Sequence, residues 1–574
     1  MTVEVEATFQ KNGEVLTKLF DGSTNVSVVN MEEISEIEKM CQDFQWHKSV
    51  NASQKIGERL FNILNSDQLL VKSLEEANMH GELLHLSIRN EGLPDLPFEL
   101  LYSNGFLVPS RIHLIRRISD YGCKKKLEIS KDPLKVLFIA CSPEGVKSVL
   151  KFEKEEEIIL EVTKNFPVDI DVEDTGSLEG LQTCLAQKHY DVVHITGHAD
   201  IDDDGPFFLM EDEFGYPVPV TPSLLWDVLQ LNPPRLLFLS GCRTGEAPQS
   251  KAVNSFAHDL VLKHSSTVLG WGLPVLDPAA TLAAAGVYFE LSRGKSILDA
   301  VLFARQNLYK NRFPDWCLLR LFSDGTLLDI PLVEKDQKMK VKARDIQYAY
   351  LKNSQVKVLT KGFVGRRRQI QRGLRSLKKD EDKVGVLLHG TGGLGKSCLA
   401  GKLCERLKYD LVIVNGELNA VTFVDALKKG FIRAHDENGL EILEEKTDIT
   451  DKISKLCSSS FQDRHYIILL DDFEKNLNID GESVVSPDVA PVLGALLLNL
   501  ADTGKMSQII ITSRYTFPLI VQKDLVNKLG CIGLSSFQAA DERKKVSELT
   551  EIAYYKDEEV REELIKAGHG NPRL

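Results

Sequence analysis

The chain has 574 residues, too many for one ordinary hydrophobic core, and we therefore expect roughly two to four domains. Its residues are 43% hydrophobic and 27% charged, which excludes a disordered or fibrous class and indicates a globular protein. The formal net charge of −13 argues against direct binding to nucleic acid or to an anionic membrane surface.

The cysteines and the N-terminus favour a reducing compartment. The 10 cysteines are scattered along the chain without a CxxC pair, so the pattern predicts neither a zinc cage nor a disulfide scaffold. The first residues lack the basic and apolar regions of a signal peptide, and no stretch approaches the roughly 18 apolar residues of a membrane span. We therefore expect a cytoplasmic protein.

Short apolar runs alternate with helical patterns in the first half of the chain. Four runs read as strands, at residues 82–90, 134–140, 190–196 and 235–240. A hairpin is expected over 207–220, followed by a helix over 223–231 that Thr221 would cap. Strands that alternate with helices predict a mostly parallel sheet. We assign this α/β domain to residues 1–332, with an N-terminal subregion over 1–130 and a core over 131–332.

The second half repeats this alternation after a polar, lysine-rich stretch at 333–360, which has no apolar strand run and which we assign as an inter-domain linker or a linker helix. Apolar runs recur at 384–388, 411–414, 466–470 and 508–512, with helical patterns between them. They predict a second α/β domain over residues 361–516. Residues 517–574 read as the beginning of a small helical domain.

A histidine and a cysteine follow two of the runs in the first domain. His198 comes just after the run 190–196, and Cys242 just after the run 235–240. The carboxyl ends of parallel strands meet at one edge, and adjacent strands lie about 4.8 Å apart, so His198 could activate Cys242 as a nucleophile. The alternative is a buried cysteine that happens to end a strand. His194 lies on the same face four residues earlier, and we expect it to be a packed structural histidine.

A glycine-rich loop follows the first run of the second domain. Residues 390–397, Gly-Thr-Gly-Gly-Leu-Gly-Lys-Ser, match GxxxxGK[ST] between a predicted strand and a predicted helix. Its glycines would let backbone N–H groups approach phosphate oxygens, Lys396 would reach the β- and γ-phosphates, and Ser397 would coordinate Mg²⁺. The glycines in question are Gly390, Gly392, Gly393 and Gly395. The alternative is a glycine-rich turn with a chance lysine.

Two later runs of the second domain end in charged residues. The run 466–470 leads into Asp471, which would hold Mg²⁺ through water, and into Asp472 and Glu474, either of which would orient an attacking water. The run 508–512 leads to Arg514, which would sense the γ-phosphate at the same sheet edge. For Arg514 the alternative is an ordinary surface arginine.

Over about residues 361–574 the chain resembles the signal-transduction ATPases with numerous domains (STAND). Phe363-Val364-Gly365-Arg366 is similar to the family's entry motif, although Arg367 follows where the family usually has an acidic residue. Gly570-Asn-Pro572 is similar to its GxP motif. The resemblance implies that Val364, Gly365, Arg366 and Pro572 contact the nucleotide, with ATP, dATP or ADP and Mg²⁺ as cofactors. It also implies a homo-oligomer on activation, and a winged-helix domain and a trigger sensor beyond the truncated helical domain.

Over about residues 82–330 the chain resembles CHAT peptidases of the caspase/separase clan. The similar segments are 93–101 (LPDLPFELL), 268–277 (VLGWGLPVLD), 294–296 (GKS) and Trp316. The resemblance implies a caspase-like fold in which Cys242 is the nucleophile and His198 the general base. The backbone N–H groups of Cys242 and Ala199 would form the oxyanion hole, although the family usually has glycine in place of Ala199. Asp277 would line a pocket for a basic substrate residue, or alternatively cap the helix after it.

Taken together, the motifs favour a signal-gated cysteine endopeptidase controlled by a nucleotide-dependent oligomerisation switch. The resemblance implies a partner protein as the substrate, a gasdermin-like protein among the candidates, and a setting in prokaryotic antiviral defence or regulated cell death. The alternative is an NTPase-driven signalling scaffold whose CHAT domain is an inactive docking module, and Ala199 is the feature that favours it. A metabolic P-loop kinase is disfavoured because no substrate-binding motif accompanies the loop.

Overall fold

The apolar runs of the chain pair into two large sheets in a computed structural model of the protein, one in Met1–Val341 and one in Lys342–Leu574. Each of these two units has its own hydrophobic core. The structure describes residues 3–10, 13–19, 22–46, 49–90, 95–120, 128–146, 152–163, 167–241, 252–264, 267–273, 275, 277–335, 348–350, 357–359, 363–478, 484–518, 523–548 and 558–572.

The first unit contributes strands and helices in alternation. Its described strands are β1 (Glu4–Phe9), β2 (Glu14–Leu19), β3 (Thr24–Val28), β4 (Leu84–Asn90), β5 (Ile112–Arg117), β6 (Leu134–Ala140), β7 (Val168–Glu173), β8 (Val192–Asp202), β9 (Gly205–Glu211), β10 (Pro217–Val220), β11 (Leu236–Gly241), β12 (Val268–Trp271) and β13 (Leu319–Ser323). Its described helices are α1 (Met31–Trp46), α2 (Val50–Leu64), α3 (Leu69–Met79), α4 (Phe152–Thr163), α5 (Leu178–Gln187), α6 (Pro222–Leu229), α7 (Ala252–His264), α8 (Asp277–Ser292) and α9 (Ile297–Lys310).

These strands form one sheet, in the order β7-β6-β8-β11-β12-β13-β5-β4-β1-β2-β3. Neighbours from β7 to β12 are parallel, β13 is antiparallel to β12, and β5, β4 and β1 are parallel to β13. Among the described strands, further antiparallel pairs come from β2 and β3, at the far edge, and from β9 and β10. The prediction of a mostly parallel sheet is confirmed, and the strands before residue 130 join the same sheet through β5.

Helices cover both faces of the central strands, because alternate residues of a strand point to opposite faces. On β6, Val136 and Phe138 contribute to a core that also contains residues of α4, α8 and α9. Leu137 and Ile139 of the same strand contribute to a second core, built with α5, α6 and α7. The sheet is therefore the middle layer of three.

Several element boundaries in this unit match the sequence predictions. β6 covers the predicted run 134–140, and β9 and β10 form the predicted hairpin. Thr221 caps α6, since its side chain accepts a hydrogen bond from the backbone N–H of Leu224. β8 is longer than the predicted run 190–196, because beyond Gly197 it leaves its parallel neighbours and pairs antiparallel with β9.

The second unit has a five-stranded parallel sheet in the order β17-β18-β21-β16-β22. Its described strands are β14 (Tyr348–Tyr350), β15 (Lys357–Leu359), β16 (Gly385–His389), β17 (Asp410–Asn415), β18 (Tyr466–Asp471), β19 (Leu477–Asn478), β20 (Val484–Val485), β21 (Ser507–Ser513) and β22 (Leu529–Gly533). Its described helices are α10 (Arg367–Lys378), α11 (Lys396–Leu407), α12 (Ala420–Ala434), α13 (Glu437–Glu444), α14 (Ile449–Cys457), α15 (Ser460–Asp463), α16 (Ala490–Asn499), α17 (Ala539–Glu548) and α18 (Glu558–Gly568).

The four predicted runs of this unit are confirmed as β16, β17, β18 and β21, but two other predictions need correction. β22 pairs with β16, so the sheet extends to Gly533, past the predicted domain end at residue 516. The stretch 333–360, predicted to be a linker or a linker helix without an apolar strand, includes β14 and β15, which pair antiparallel. Neither segment carries a long apolar run, so its strand character depends on the partner strand rather than on a local pattern.

Among the described residues, no helix combines the length and the apolar character that crossing a bilayer requires.

Candidate functional site

In the first unit, the parallel part of β8 ends beside the carboxyl end of β11. Their last parallel pair joins Gly197 to Gly241. The next residue on β8 is His198, and in the sequence the residue after Gly241 is Cys242. Cys242 itself lies outside the described residues, as do the nine positions that follow it, 243–251. The predicted base and the predicted nucleophile thus each follow, in the sequence, one residue of the same pair on adjacent strands.

His198 occupies an enclosed position, with 1% of the residue exposed, opposite Leu209 of β9. Close packing explains the glycine before it. A Cβ on Gly197 would lie 2.5 Å from a ring atom of Phe208 and 3.0 Å from the Cβ of Cys141. Because a side chain at this position would overlap the Phe208 ring and the Cys141 side chain, glycine lets these two side chains pack directly against β8.

His194 lies on the same strand but in a different environment. It is fully buried, with its ring stacked on that of Phe238 at 4.4 Å between centroids and edge-on to that of Phe138 at 5.1 Å. Burial lowers the pKa of His194 to about 3, so the ring is neutral at physiological pH. The structure agrees with the prediction that His194 is a packed core residue.

Two other predicted residues of this site are placed only in part. Ala199 follows His198 within β8 and lies opposite Phe208 of β9, and its predicted share in an oxyanion hole stays a prediction. Asp277 is the first residue of α8, but its side chain lies outside the described part of the chain. Its proposed contribution to a specificity pocket therefore stays a prediction as well.

A buried ion cluster joins several elements of the first unit. Arg116 on β5 donates Nε and Nη2 to the two carboxylate oxygens of Glu99, at 3.0 and 2.7 Å, while Asp95 accepts from Arg116 and from Arg320 on β13. Arg305 on α9 lies 3.9 Å from Glu99. Burial opposes the ionisation of Glu99, but Arg116 and Arg320 outweigh it and lower the pKa of this carboxyl. Asp95 and Glu99, which belong to the family-like segment 93–101 noted in the sequence, thus connect β5, β13 and α9.

The second unit contains a cavity of about 390 Å³, and residues that follow β16, β18 and β21 line part of its wall. Most residues predicted to bind nucleotide line it, although they come from segments far apart in the sequence. They are Val364, Arg366, Gly392, Gly393, Gly395, Lys396, Ser397, Asp472, Glu474, Arg514 and Pro572. Gly365, Gly390 and Asp471 are not on its wall but directly precede or lie close to residues that are. A cavity of this size is in the range of small-ligand sites.

The loop after β16 has the backbone conformation that its glycines permit. Gly390, Gly393 and Gly395 have φ values of 147°, 85° and 88°, which side-chain-bearing residues rarely adopt. Lys396 begins α11 and donates its Nζ to the carbonyl oxygens of Gly390 at 2.8 Å and Thr391 at 3.1 Å. Burial lowers the pKa of Lys396, and nearby carboxylates oppose that shift. The lysine is therefore positioned over the loop that was predicted to hold phosphate.

Asp471 is the centre of a small polar network at the end of β18. Ser397 donates its hydroxyl to Oδ1 of Asp471 at 2.9 Å, and Thr512 on β21 donates to the same oxygen. The backbone N–H of Asp472 in turn donates to the Thr512 hydroxyl at 3.0 Å. A serine hydroxyl and a carboxylate are oxygen ligands of the kind that Mg²⁺ prefers, so the Ser397–Asp471 pair fits this ion.

Glu474 and Arg514 form an ion pair on the cavity wall. The Nε of Arg514 lies 2.9 Å from one carboxylate oxygen of Glu474, and the backbone N–H of Arg514 lies 3.2 Å from the other. The predicted water-orienting carboxylate and the predicted γ-phosphate sensor are therefore bonded to each other.

Residues near the end of the described chain close one side of the cavity. The side-chain amide of Asn571 donates to the carbonyl oxygen of Gly392 at 3.1 Å. The backbone N–H of Phe537 donates to the carbonyl oxygen of Gly570 at 2.7 Å. The guanidinium of Arg366 lies 4.8 Å from the centroid of the Phe537 ring. The two segments similar to the STAND entry and GxP motifs thus meet at the same cavity.

Sequence reasoning missed several residues of this cavity. The lining residues without a predicted role are Leu394, Cys398, Phe537 and Lys545, and Phe363 was named only as part of the entry motif. Leu394 and Cys398 lie within or next to the P-loop, where the motif spacing could have identified them. Phe537 and Lys545 belong to no motif, and only the fold brings them to the wall. Thr512 also belongs to no motif; it is not a lining residue, but its hydroxyl bonds to Asp471.

Comparison with known proteins identifies the first unit. The family model described as "CHAT domain" matches residues 54–347, just over half of the chain. No curated protein matches the chain.

Among solved structures, similar chains occur in the crystal structure of Cdc6p from Pyrobaculum aerophilum, in the Escherichia coli MS115-1 HORMA:CdnC:Trip13 complex and in the structure of PCH-2 from Caenorhabditis elegans. Their identities are 16%, 12% and 16%, their TM-scores 0.23, 0.21 and 0.16, and they cover 34%, 32% and 29% of this chain. The matches span 56%, 57% and 40% of those chains, and likeness at this level carries no argument about activity. On the match over residues 54–347, the chain belongs to the CHAT domain family.

Proposed function

We propose that the protein is a cysteine endopeptidase whose activity is controlled by a nucleotide bound in its second unit. The observation that carries the peptidase part is the pairing of Gly197 with Gly241, the residues that precede His198 and Cys242. Membership of the CHAT family supports the same reading. A base-activated cysteine needs its histidine within hydrogen-bond reach, and adjacent parallel strands provide that spacing.

In the proposed mechanism, His198 accepts the proton of the Cys242 thiol, and the thiolate attacks the carbonyl carbon of the scissile peptide bond. The backbone N–H groups of Cys242 and Ala199 would stabilise the negative oxygen of the tetrahedral intermediate. His198 then gives its proton to the leaving amine, and a water molecule hydrolyses the thioester. The enclosed position of His198 supports this role, because electrostatic interactions are stronger where water is excluded.

For the second unit we propose binding of ATP, dATP or ADP, supported by the cavity around Lys396. The N–H groups of the loop and the Nζ of Lys396 would bind phosphate oxygens. Ser397 and Asp471 would hold Mg²⁺, which supplies positive charge next to the phosphates. Asp472 or Glu474 would orient a water for hydrolysis, and Pro572 would pack against the nucleotide.

The biological setting is proposed from the resemblance of the second unit to STAND proteins. A trigger would favour nucleotide exchange and assembly of a homo-oligomer, and assembly would switch on cleavage of a partner protein, with a gasdermin-like protein as one candidate substrate. Prokaryotic antiviral defence or regulated cell death is the setting in which such a switch operates. No direct contact with nucleic acid or membrane is part of this proposal.

The peptidase proposal is tested by covalent labelling. The purified protein is incubated with thiol-reactive peptide ketones, with and without ATP and Mg²⁺, and the modified cysteine is located by mass spectrometry. We expect selective labelling of Cys242 that disappears in His198→Ala and is unchanged in Cys531→Ser, which removes an exposed cysteine of the second unit. Labelling of Cys242 that does not depend on His198 would contradict the proposal. A protein that binds nucleotide but is never labelled at Cys242 would instead favour the inactive docking scaffold.

A further inference from the structure

The strand β3 forms a free edge of the large sheet in the first unit. Its five residues, Thr24–Val28, pair antiparallel with β2, and no other described strand pairs with them. The strand contains no charged residue, and Val26 and Val28 are 57% and 76% exposed. An edge strand offers unpaired backbone groups to a further strand, and natural sheets usually protect such edges.

The other two free edges among the described strands of this sheet are protected. β10 contains Pro217 and Pro219, which have no N–H to donate to another strand. β7 carries three carboxylates, which would repel those of a second copy of the same strand: Asp169, Asp171 and Glu173. β3 has neither device, so it is the unprotected edge of the described sheet.

The hydrogen bonds between β2 and β3 determine which backbone groups of β3 face the open edge. At one end of the ladder Leu19 donates its N–H to the carbonyl oxygen of Ser23, and at the other end Val29 donates to that of Gly13, both at 2.9 Å. Hydrogen-bonded and non-hydrogen-bonded pairs alternate along an antiparallel ladder. The odd-numbered residues of β3 therefore bond to β2, and the backbone groups of the even-numbered residues point away from it.

The even-numbered residues are Thr24, Val26 and Val28, so the outward backbone groups include those of both exposed valines. One of these groups, the N–H of Val26, donates to the side-chain oxygen of Asn25 at 3.0 Å. This bond lies at the surface, where the carbonyl of a further strand can replace the Asn25 oxygen. The edge is thus suited to accept a strand along these three residues.

We propose that β3 pairs antiparallel with β3 of a second copy of this chain, with the two-fold axis at Val26. Val26 then lies opposite its own counterpart, and Thr24 of each copy lies opposite Val28 of the other. The three outward positions of each copy can form about six backbone hydrogen bonds between the copies. The pairing requires neither the nucleotide nor the peptidase chemistry proposed above.

The side chains beside β3 are complementary in this arrangement, which favours a second copy over an unrelated strand. Three pairs of residues face each other between β2 and β3, namely Leu16–Val26, Lys18–Thr24 and Glu14–Val28. Side chains in one cross-strand row share a face, so the central row joins Leu16 and Val26 of both copies. Each outer row has Lys18 of one copy at one end and Glu14 of the other copy at the opposite end. An apolar centre is therefore flanked by opposite charges, although each copy has a net charge of −13.

Sedimentation velocity of the full chain, without nucleotide, tests this inference. A five-residue edge buries less than the roughly 1,600 Å² of a standard stable interface, so we expect a reversible dimer at micromolar concentrations. Val26→Lys should weaken dimerisation by at least about tenfold, because it places like charges directly opposite each other at the two-fold axis. Val26→Glu should have the same effect for the same reason. Position 26 is exposed, so both variants should fold, which circular dichroism verifies.

An equimolar mixture of the two variants should restore the dimer, because the lysine of one copy then faces the glutamate of the other. Val421→Lys is the matched control: it makes the same change at a valine of α12 that is 79% exposed, and it should dimerise like the wild type. A monomeric wild type, a dimer that persists in both charged variants, or a mixture that stays monomeric would each show that the inference is wrong. ADP binding should be equal in Val26→Lys and the wild type, so failure of the nucleotide proposal would be seen separately.

Discussion

Both candidate sites lie at the carboxyl ends of parallel strands, yet they are assembled in different ways. In the first unit His198 and the approach to Cys242 come from the neighbouring strands β8 and β11, so one register relates them. In the second unit the strands that lead to Lys396 and Asp471 are separated by β21, whose Thr512 bonds to Asp471. A site on neighbouring strands can be inferred from the alternation of apolar runs. A site that spans three strands also depends on the order of the sheet.

The largest expected effect separates two histidines of β8. His198→Ala should lower the rate of Cys242 labelling by about 10²–10⁴-fold, the usual contribution of a general base. His194→Ala removes a ring packed between Phe138 and Phe238 and should instead cost about 3 kcal/mol of folding free energy, with the labelling rate of the folded protein retained. Labelling kinetics and urea unfolding measure the two quantities. An equal loss of labelling in both variants would mean that His198 acts only through packing.

The second site is tested next by Lys396→Ala. We expect this substitution to weaken ADP and ATP binding by about 100-fold, because hydrogen bonds from a charged donor contribute about 1.5–3 kcal/mol. Isothermal titration calorimetry measures the affinities. Lys428→Ala, which removes an exposed lysine of α12 in the same unit, is the control and should bind like the wild type. Unchanged affinity in Lys396→Ala would argue against phosphate binding at the loop.

A smaller effect is expected from Thr512, the residue that joins the strands of the second site. Thr512→Val keeps the shape but removes the hydroxyl that donates to Asp471 and accepts from the Asp472 backbone. The Mg²⁺ concentration for half-maximal nucleotide binding should rise about tenfold, as for other residues that orient a metal ligand. Thr512→Ser should restore the wild-type value.

Thr503→Val provides the matched control for this experiment. Thr503 is also a buried threonine of the second unit, but among the described residues its hydroxyl bonds only to backbone groups of Leu500 and Ser507. Its replacement should lower the melting temperature without changing the Mg²⁺ dependence. A tenfold shift in both valine variants would mean that Thr512 acts through stability and not through Asp471.

The smallest expected effect concerns acid stability of the first unit. Burial, followed by the neighbouring His85, lowers the pKa of His113 to about 4, and the two rings are joined by a 3.1 Å hydrogen bond. Since this folded pKa lies below the unfolded value of about 6.5, the unfolded chain takes up the proton first as the pH falls. Stability should thus be complete above about pH 6.5 and decrease below it, by about 1 kcal/mol for His113 at pH 6.

Calorimetric melts between pH 7.5 and 6 measure this loss, and His113→Gln should reduce it. In the second unit burial also lowers the pKa of His389, but that ring is only partly buried, so the transition of this unit should depend less on pH. A pH dependence that is identical in the wild type and His113→Gln would contradict the assignment to His113.

Local patterns were sufficient for elements that carry their own signal. The run 134–140 became β6, Thr221 capped α6, and the P-loop lies between β16 and α11 as its motif requires. Elements without such a signal were missed: β22 is short and gains its strand character by pairing with β16. Phe537 and Lys545 were missed for the same reason, because a side chain on a cavity wall has no periodicity of its own.

The sequence by itself determined which chemistry is available: the spacing of Lys396 and Ser397 after a strand, and a histidine and a cysteine after two others. The tertiary structure decided how these residues are used. His194 and His198 share one face of β8 by strand periodicity. In the structure, His194 stacks on Phe238 in the core, whereas His198 follows the change of pairing partner at Gly197 and lies opposite Leu209 of β9. Likewise, only the order of β18, β21 and β16 brings Glu474 against Arg514. Burial and ion pairing depend on neighbours in space, which residue spacing along the chain does not specify.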